Sequence, residues 1–144
     1  MLLLLQGPAG GGKSQFYEPL LADGTYDFVA DYTAIWAALG NHKRQANGLY
    51  AVRSELEPIV RRGLVSYVQR TAIRQGLRQG LNGIVTTSRS GMETLYQNIA
   101  NEFGTAFQVQ TIDPGRETVV QRLSAQTGGV LSSECEAAIN RWYN

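Results

Sequence analysis

The chain has 144 residues, 43% hydrophobic and 17% charged, with a net charge of +1. That length suits one compact domain able to bury a core, so one domain over residues 1–144 is expected. A single Cys135 and a single His42 exclude a disulfide framework, a CxxC pair and a zinc site, and they point to a reducing, cytoplasmic setting.

The apolar run LLLLQ (2–6) has no basic residue before it and falls short of the about 7 to 15 apolar residues of a signal-peptide core. It reads as a fully buried strand, continuous as in parallel sheets covered on both faces. Nothing approaches the roughly 18 apolar residues of a membrane span, so no membrane partner is expected. No linker composition and no internal repeat divide the chain.

A helix is expected from near Gly12 to about Leu21, then a turn at DGT (23–25) and a second strand, YDFVA (26–30), ending at Asp31. Residues 32–39 read as a short helix stopped by Gly40 and Asn41, and NHKRQANGLY (41–50) as a polar loop. Leu56, Ile59, Val60, Leu64, Val65, Val68, Ala72, Ile73 and Leu77 recur at helical spacing, which predicts the longest helix from about Arg53 to Gln79. Pro58 falls near its first turn, and Gly63 and Gly76 are positions that weaken or bend it.

GIVTTS (83–88) is the third expected strand, followed by a helix over 91–103 that ends at Gly104. AFQVQTID (106–113) is the fourth strand. Pro114 opens the helix GRETVVQRLSA, and SSECEAAINRWYN forms the last helix, with Ser132 or Ser133 as cap and Glu136 near the capping-box position. This order of strands and helices calls for a parallel three-layer α/β fold.

Gly7, four residues, then Gly12, Lys13 and Ser14 match GxxxxGK[ST], the Walker A pattern. Phosphate oxygens need several donors at once, and successive backbone N–H groups supply them only where glycines let the chain curl tightly. Lys13 adds a point charge for the β and γ phosphates, Ser14 offers a hydroxyl to Mg²⁺, and the helix N-terminus behind them favours an anion. The candidate nucleotide-binding residues are Gly7, Ala9, Gly10, Gly11, Gly12, Lys13, Ser14 and Gln15, and the nucleotide is ATP or GTP.

Asp31, at the strand end where α/β ligands bind, reads either as a base and substrate-holding group or as the cap of the helix at 32–39, and one residue can do both. Ser88 and Arg89 are further substrate-binding candidates. The third strand ends in Thr86, Thr87, Ser88 and Arg89, with no acid where many such proteins carry a carboxylate for Mg²⁺. Arg116 and Arg122 read either as charge-neutralising groups for a transferring phosphoryl or as solvated arginines on a helix face.

Between Lys43 and Arg89 there are nine basic residues and two acids, a net +7 in a chain whose total is +1. Arg62, Arg70, Arg74 and Arg78 fall on a four-residue spacing. The row suits a nucleic-acid backbone or polyphosphate, but a solvated helix face is the more common explanation of such a row, since only Tyr67 interleaves aromatically. Trp36, Trp142 and Tyr143 read as packing residues, with Trp36 also placed to line a base pocket.

These segments resemble small P-loop kinases of the polynucleotide-kinase and nucleotide-kinase type: GPAGGGKSQ their phosphate loop, FVADY their second-strand aspartate, GIVTTS their third strand, and IDPGRETVVQRL their arginine-bearing lid helix. With the DPGR segment and the terminal AAINRWY helix, the chain looks more closely like small P-loop ATP-binding proteins encoded in tailed-phage and prophage clusters. The resemblance implies a kinase-like P-loop NTPase fold with a central parallel sheet of about four strands, residence in the host cytoplasm, ATP with Mg²⁺, Asp31 as base, and Arg116 or Arg122 as lid arginine. Ala34 stands where polynucleotide kinases carry a substrate-binding arginine.

Two functions follow. One is phosphoryl transfer from ATP to a hydroxyl on a nucleic-acid end, nucleoside or nucleotide, with Lys13, Asp31, Arg116 and Arg122 as catalytic residues. The other is an accessory ATPase or nucleotide-dependent binding module in phage DNA handling or head assembly, whose arginine row meets a nucleic-acid partner.

Overall fold

The computed structural model describes residues 1–39, 43–44, 50–51, 58–126 and 128–143. Four parallel strands, β1 (Leu2–Gln6), β2 (Phe28–Ala30), β5 (Gly83–Thr87) and β6 (Phe107–Thr111), form one sheet in the order β2-β5-β1-β6. The register sets Leu2 beside Gly83 and Phe107, and Gln6 beside Thr87 and Thr111. The chain is therefore a mixed α/β fold around a four-stranded parallel sheet.

A central strand covered on both faces has no solvent side, which is why β1 is an unbroken leucine run: Leu2, Leu4 and Leu5 are fully buried and Leu3 nearly so. Alternation along β1 splits the core in two. Leu2, Leu4 and Val85 face Ile73 and Leu77 of α3 (Pro58–Arg78) and Tyr96, Ile99 and Ala100 of α4 (Glu93–Glu102). Leu3, Leu5 and Ile84 face Tyr26 and the Tyr17, Leu20 and Leu21 side of α1 (Lys13–Ala22). Each fully buried leucine contributes about 1.5–3 kcal/mol relative to exposure. A third cluster joins Val119 and Leu123 of α5 (Arg116–Gln126) to Cys135 and Ile139 of α6 (Ser133–Tyr143).

Several boundaries differ from expectation. The second strand begins at Phe28, and Tyr26 before it is buried in the core beside Leu3 and Leu5. Within the expected polar loop, Lys43–Arg44 (β3) pairs antiparallel with Tyr50–Ala51 (β4). The longest helix starts at Pro58, where the missing N–H costs nothing, and residues 53–57 lie outside the described residues. The short helix α2 (Tyr32–Leu39) matches, though Gly40 and Asn41 beyond it are not described. Ser132 is the cap of α6: its Oγ accepts from the Cys135 N–H at 3.2 Å.

Gly76 has a packing role rather than a bending one. A Cβ there, or on Gly83 across from it, would overlap the Phe28 ring, so the two glycines make room for that side chain between α3 and β5. Among the described residues no helix is long and apolar enough to cross a membrane.

Candidate functional site

The turn between β1 and α1 is held tightly at the carboxyl end of the sheet. Gly7 N–H donates to Thr87 O at 3.2 Å and Gly11 N–H to Pro8 O at 3.0 Å. Gly10 (φ 75°) and Gly12 (φ 98°) adopt left-handed backbone that side-chain-bearing residues disfavour. A Cβ on Gly7 would overlap the Ile112 carbonyl oxygen just beyond β6, and Leu123 of α5 lies under Gly10. The loop is thus floored by β6 and α5 and has its curvature fixed by glycine.

Gly12 caps α1 without any side-chain acceptor, and the first intrahelical bond is from Phe16 N–H to Gly12 O. The N–H groups of Gly12, Lys13, Ser14 and Gln15 therefore have no intrahelical acceptor, and no acidic side chain occupies the first turn. This is a donor-rich helix end behind a glycine turn, suited to an anion. Ser14 and Gln15 are exposed beside it, and Ala9 is half-buried in the loop.

Lys13 folds across this turn. Its Nζ donates to Gly7 O (2.7 Å), Pro8 O (3.1 Å) and Ser88 Oγ (3.0 Å). Burial lowers the amine to about 8, against the opposing pull of the Asp31 charge. The unfolded chain, with an ordinary lysine near 10.4, then holds one more proton between about pH 8 and 10, so this lysine's contribution to stability rises with pH across that window.

Asp31 stands one residue past β2 and uses both carboxylate oxygens. Oδ1 accepts from the Ala34 N–H at 3.0 Å, which makes it the cap of α2, and Oδ2 accepts from the Tyr17 hydroxyl at 2.8 Å. The strand ends beneath are tied by Gln69, 3% exposed, whose Nε2 donates to Ala30 O (2.9 Å) and Thr86 O (2.8 Å) while its Oε1 accepts from Tyr96 OH at 3.2 Å. A buried amide with both ends satisfied fixes β2 against β5 and hence the position of Asp31.

The other expected site residues divide. Arg122 reaches the loop, its Nη1 donating to Gly10 O at 3.2 Å. Ser88 touches Lys13, whereas Arg89 is exposed and joined through its backbone N–H to Thr87 Oγ1. Arg116 is exposed at the start of α5, where its charge acts on Tyr143. The β5 hydroxyls are engaged: Thr86 Oγ1 accepts from Tyr32 N–H, and Thr87 Oγ1 from Arg89 N–H.

The arginine row is less open than its spacing implies. Arg74 pairs with Glu102 at 3.2 Å, and Arg78 donates to Gln75 (2.6 Å) with its guanidinium 5.7 Å from the Phe103 ring centre. With Arg74, Thr94, Asn98 and Glu102, Arg70 lines an open groove of about 530 Å³ between α3 and α4. The Arg62 side chain lies outside the description. Trp36 is half-buried beside Tyr32, ring centres 5.9 Å apart.

Three polar anchors escaped the sequence reading. Tyr17 carried a usable signal, since it falls one helical turn after Lys13 and so on the same face of α1. Gln69 interrupts the apolar positions of α3, which marks a buried polar tie. Asp113 accepts from Tyr143 OH (2.6 Å), Trp142 Nε1 (3.2 Å) and Gly115 N–H (3.0 Å), fastening α6 to the turn after β6; only its Asx turn onto Gly115 is local enough to read. Tyr143 lowers the Asp113 carboxyl below the usual range, and desolvation, with Asp113 adding to it, pushes the Tyr143 phenol up to about 12.

No protein-family model and no curated protein matches the chain. By structure it is similar to a chain of the Pnkp1/Rnl/Hen1 complex, with TM-score 0.60 and 18% identity over 84% of this chain and 38% of that one. It is also similar to a chain of the Pnkp1/Rnl/Hen1 RNA repair complex, with TM-score 0.66 and 16% identity over 98% of this chain and 43% of that one. The chain spans about two-fifths of the length of these relatives, and what they share with it at such identities is the α/β fold.

Proposed function

We propose that this chain is a P-loop phosphotransferase of the small phage-kinase type, moving the γ-phosphoryl group of ATP (or GTP), with Mg²⁺, to a hydroxyl on a nucleic-acid end, nucleoside or nucleotide. The observation that carries the reading is the convergence of a donor-rich glycine turn, Lys13, Ser88, Asp31 and Arg122 at one edge of the sheet. The fold shared with chains of an RNA repair complex supports the nucleic-acid side of it.

The residues present fit a triphosphate: the N–H groups of Gly12 to Gln15 and the Lys13 amine are donors only, and the loop has no acid. Ser14, exposed at the second helical position, is the residue to meet Mg²⁺. Magnesium triphosphate, when bound, supplies the phosphoryl group and neutralises part of its charge. Asp31 takes the proton of the acceptor hydroxyl as its oxygen bonds to phosphorus. Lys13 and Arg122 hold the negative charge that collects as the bond from phosphorus to the departing diphosphate breaks.

Calorimetric titration with MgATP tests the nucleotide site. Binding is expected, weakened about 10- to 100-fold by Lys13→Ala, the loss of one charged hydrogen-bonding group; absence of binding refutes the reading. A second expectation concerns pH. Phosphate favours the cationic form of Lys13, whose amine loses its proton near pH 8, so ATP affinity falls as pH rises through 8, by at most about tenfold per unit. Binding at pH 8.5 accordingly takes up protons, seen as a dependence of the measured heat on buffer ionisation enthalpy.

A binding module that holds nucleotide without transferring phosphate is the second reading. It is favoured by the end of β5, where Thr86, Thr87 and Ser88 stand in place of an acid and their hydroxyls already serve Tyr32, Arg89 and Lys13.

A further inference from the structure

The Asp31 carboxylate is held from two independent directions. Its cap bond to the Ala34 N–H fixes Oδ1, but one bond leaves the carboxylate free to turn about Cβ–Cγ, a torsion with a broad, shallow profile. The second bond, from the Tyr17 hydroxyl to Oδ2 at 2.8 Å, removes that freedom. Tyr17 is itself well braced: it is half-buried, and its ring packs against the cluster of Leu3, Leu5, Tyr26 and Ile84 under the sheet.

Tyr17 also lies four residues after Lys13, so one face of α1 carries both the amine that spans the glycine turn and the phenol that grips Asp31. The helix thereby sets the distance between the phosphate side of the site and its base. Burial, reinforced by Asp31, raises the Tyr17 phenol well above its usual range, so the hydroxyl is a permanent donor and never a competing base.

We propose that Tyr17 is a positioning residue, which fixes the plane of the Asp31 carboxylate relative to Lys13 and leaves the second lone pair of Oδ2 aimed at the acceptor hydroxyl. The inference rests on reading Asp31 as the base of a phosphoryl transfer. It adds a residue that no motif contains.

The test is Tyr17→Phe, which keeps the ring and its packing and deletes only the hydroxyl. Initial rates of label transfer from γ-labelled ATP to an acceptor used by the wild type are expected to show kcat lowered about tenfold, because a mis-set base costs rate rather than binding. ATP affinity, acceptor KM and thermal midpoint stay at wild-type values. In an Asp31→Asn background, Tyr17→Phe has no further effect on the residual rate, since both changes act through one carboxylate. An unchanged kcat overturns the inference, and so does a raised kcat, which would mean that the phenol competes with the acceptor for Oδ2. If the wild type labels no acceptor at all, the phosphotransferase reading fails and the inference fails with it; transfer that is indifferent to the Tyr17 hydroxyl removes the inference alone.

Discussion

Asp31→Asn is expected to lower phosphoryl transfer by about 100- to 10,000-fold, the range over which a positioned proton acceptor acts. The substitution isolates the chemistry. Asparagine keeps its one amide oxygen for the Ala34 N–H, so the cap of α2 survives, and its NH₂ takes the place of Oδ2, where it donates to the Tyr17 phenol oxygen with the bond reversed. What is lost is the ability to take up a proton. ATP affinity should stay within about threefold of wild type, because an interaction made only in the transition state does not enter ground-state binding. Steady-state rates and calorimetry on the same preparation check both halves. Retained transfer would remove Asp31 from the role of base and leave it as a cap.

Gly7→Ala has the second largest expected effect, and its origin is steric. The new methyl group would occupy the place of the Ile112 carbonyl oxygen, which is backbone and cannot swing away as a side chain does. Nor can that segment recede cheaply, since Ile112 N–H donates to Gln6 O at 2.8 Å as the last rung between β1 and the chain leaving β6. Relief has to come from lifting the glycine turn itself. Overpacking of this kind costs about 1–3 kcal/mol of stability, read as a lower urea midpoint at unchanged m-value. A displaced turn no longer gathers its N–H groups, so ATP affinity falls by at least about tenfold. Gly80→Ala and Gly104→Ala are useful controls, because a Cβ at either position meets nothing within contact distance and only backbone strain is tested. Wild-type ATP affinity in Gly7→Ala would show that close approach of the loop to β6 is not what shapes the site.

Much of the architecture was legible because it follows from burial periodicity. The leucine run of β1, the other three strands of the parallel sheet and the helices could be placed within a few residues, since a strand covered on both faces and an amphipathic helix leave different patterns, whereas the two-residue strands β3 and β4 read as polar loop. The glycine turn was legible because its left-handed backbone at Gly10 and Gly12 requires glycine in the local sequence. What was illegible depends on contacts between distant segments. The role of Gly76 emerges only once Phe28 is known to lie against it, 48 positions away in sequence. Asp113 looks like part of a turn until Trp142 and Tyr143 arrive from α6. The arginine row depends on distant contacts in the same way: helical spacing puts the guanidinium groups on neighbouring faces, but Glu102 and Phe103, on the next helix and just past its end, decide that Arg74 and Arg78 are engaged within the chain.

The measurement that tests the account most directly is thin-layer separation of γ-labelled ATP incubated with the protein and Mg²⁺ in the presence of 5′-hydroxyl oligonucleotides, nucleosides and nucleotides. The account predicts label on an acceptor, absent with Lys13→Ala. Label that stays on ATP, or passes only to free phosphate while ATP still binds, would contradict it and leave the nucleotide-dependent binding module as the function of this site.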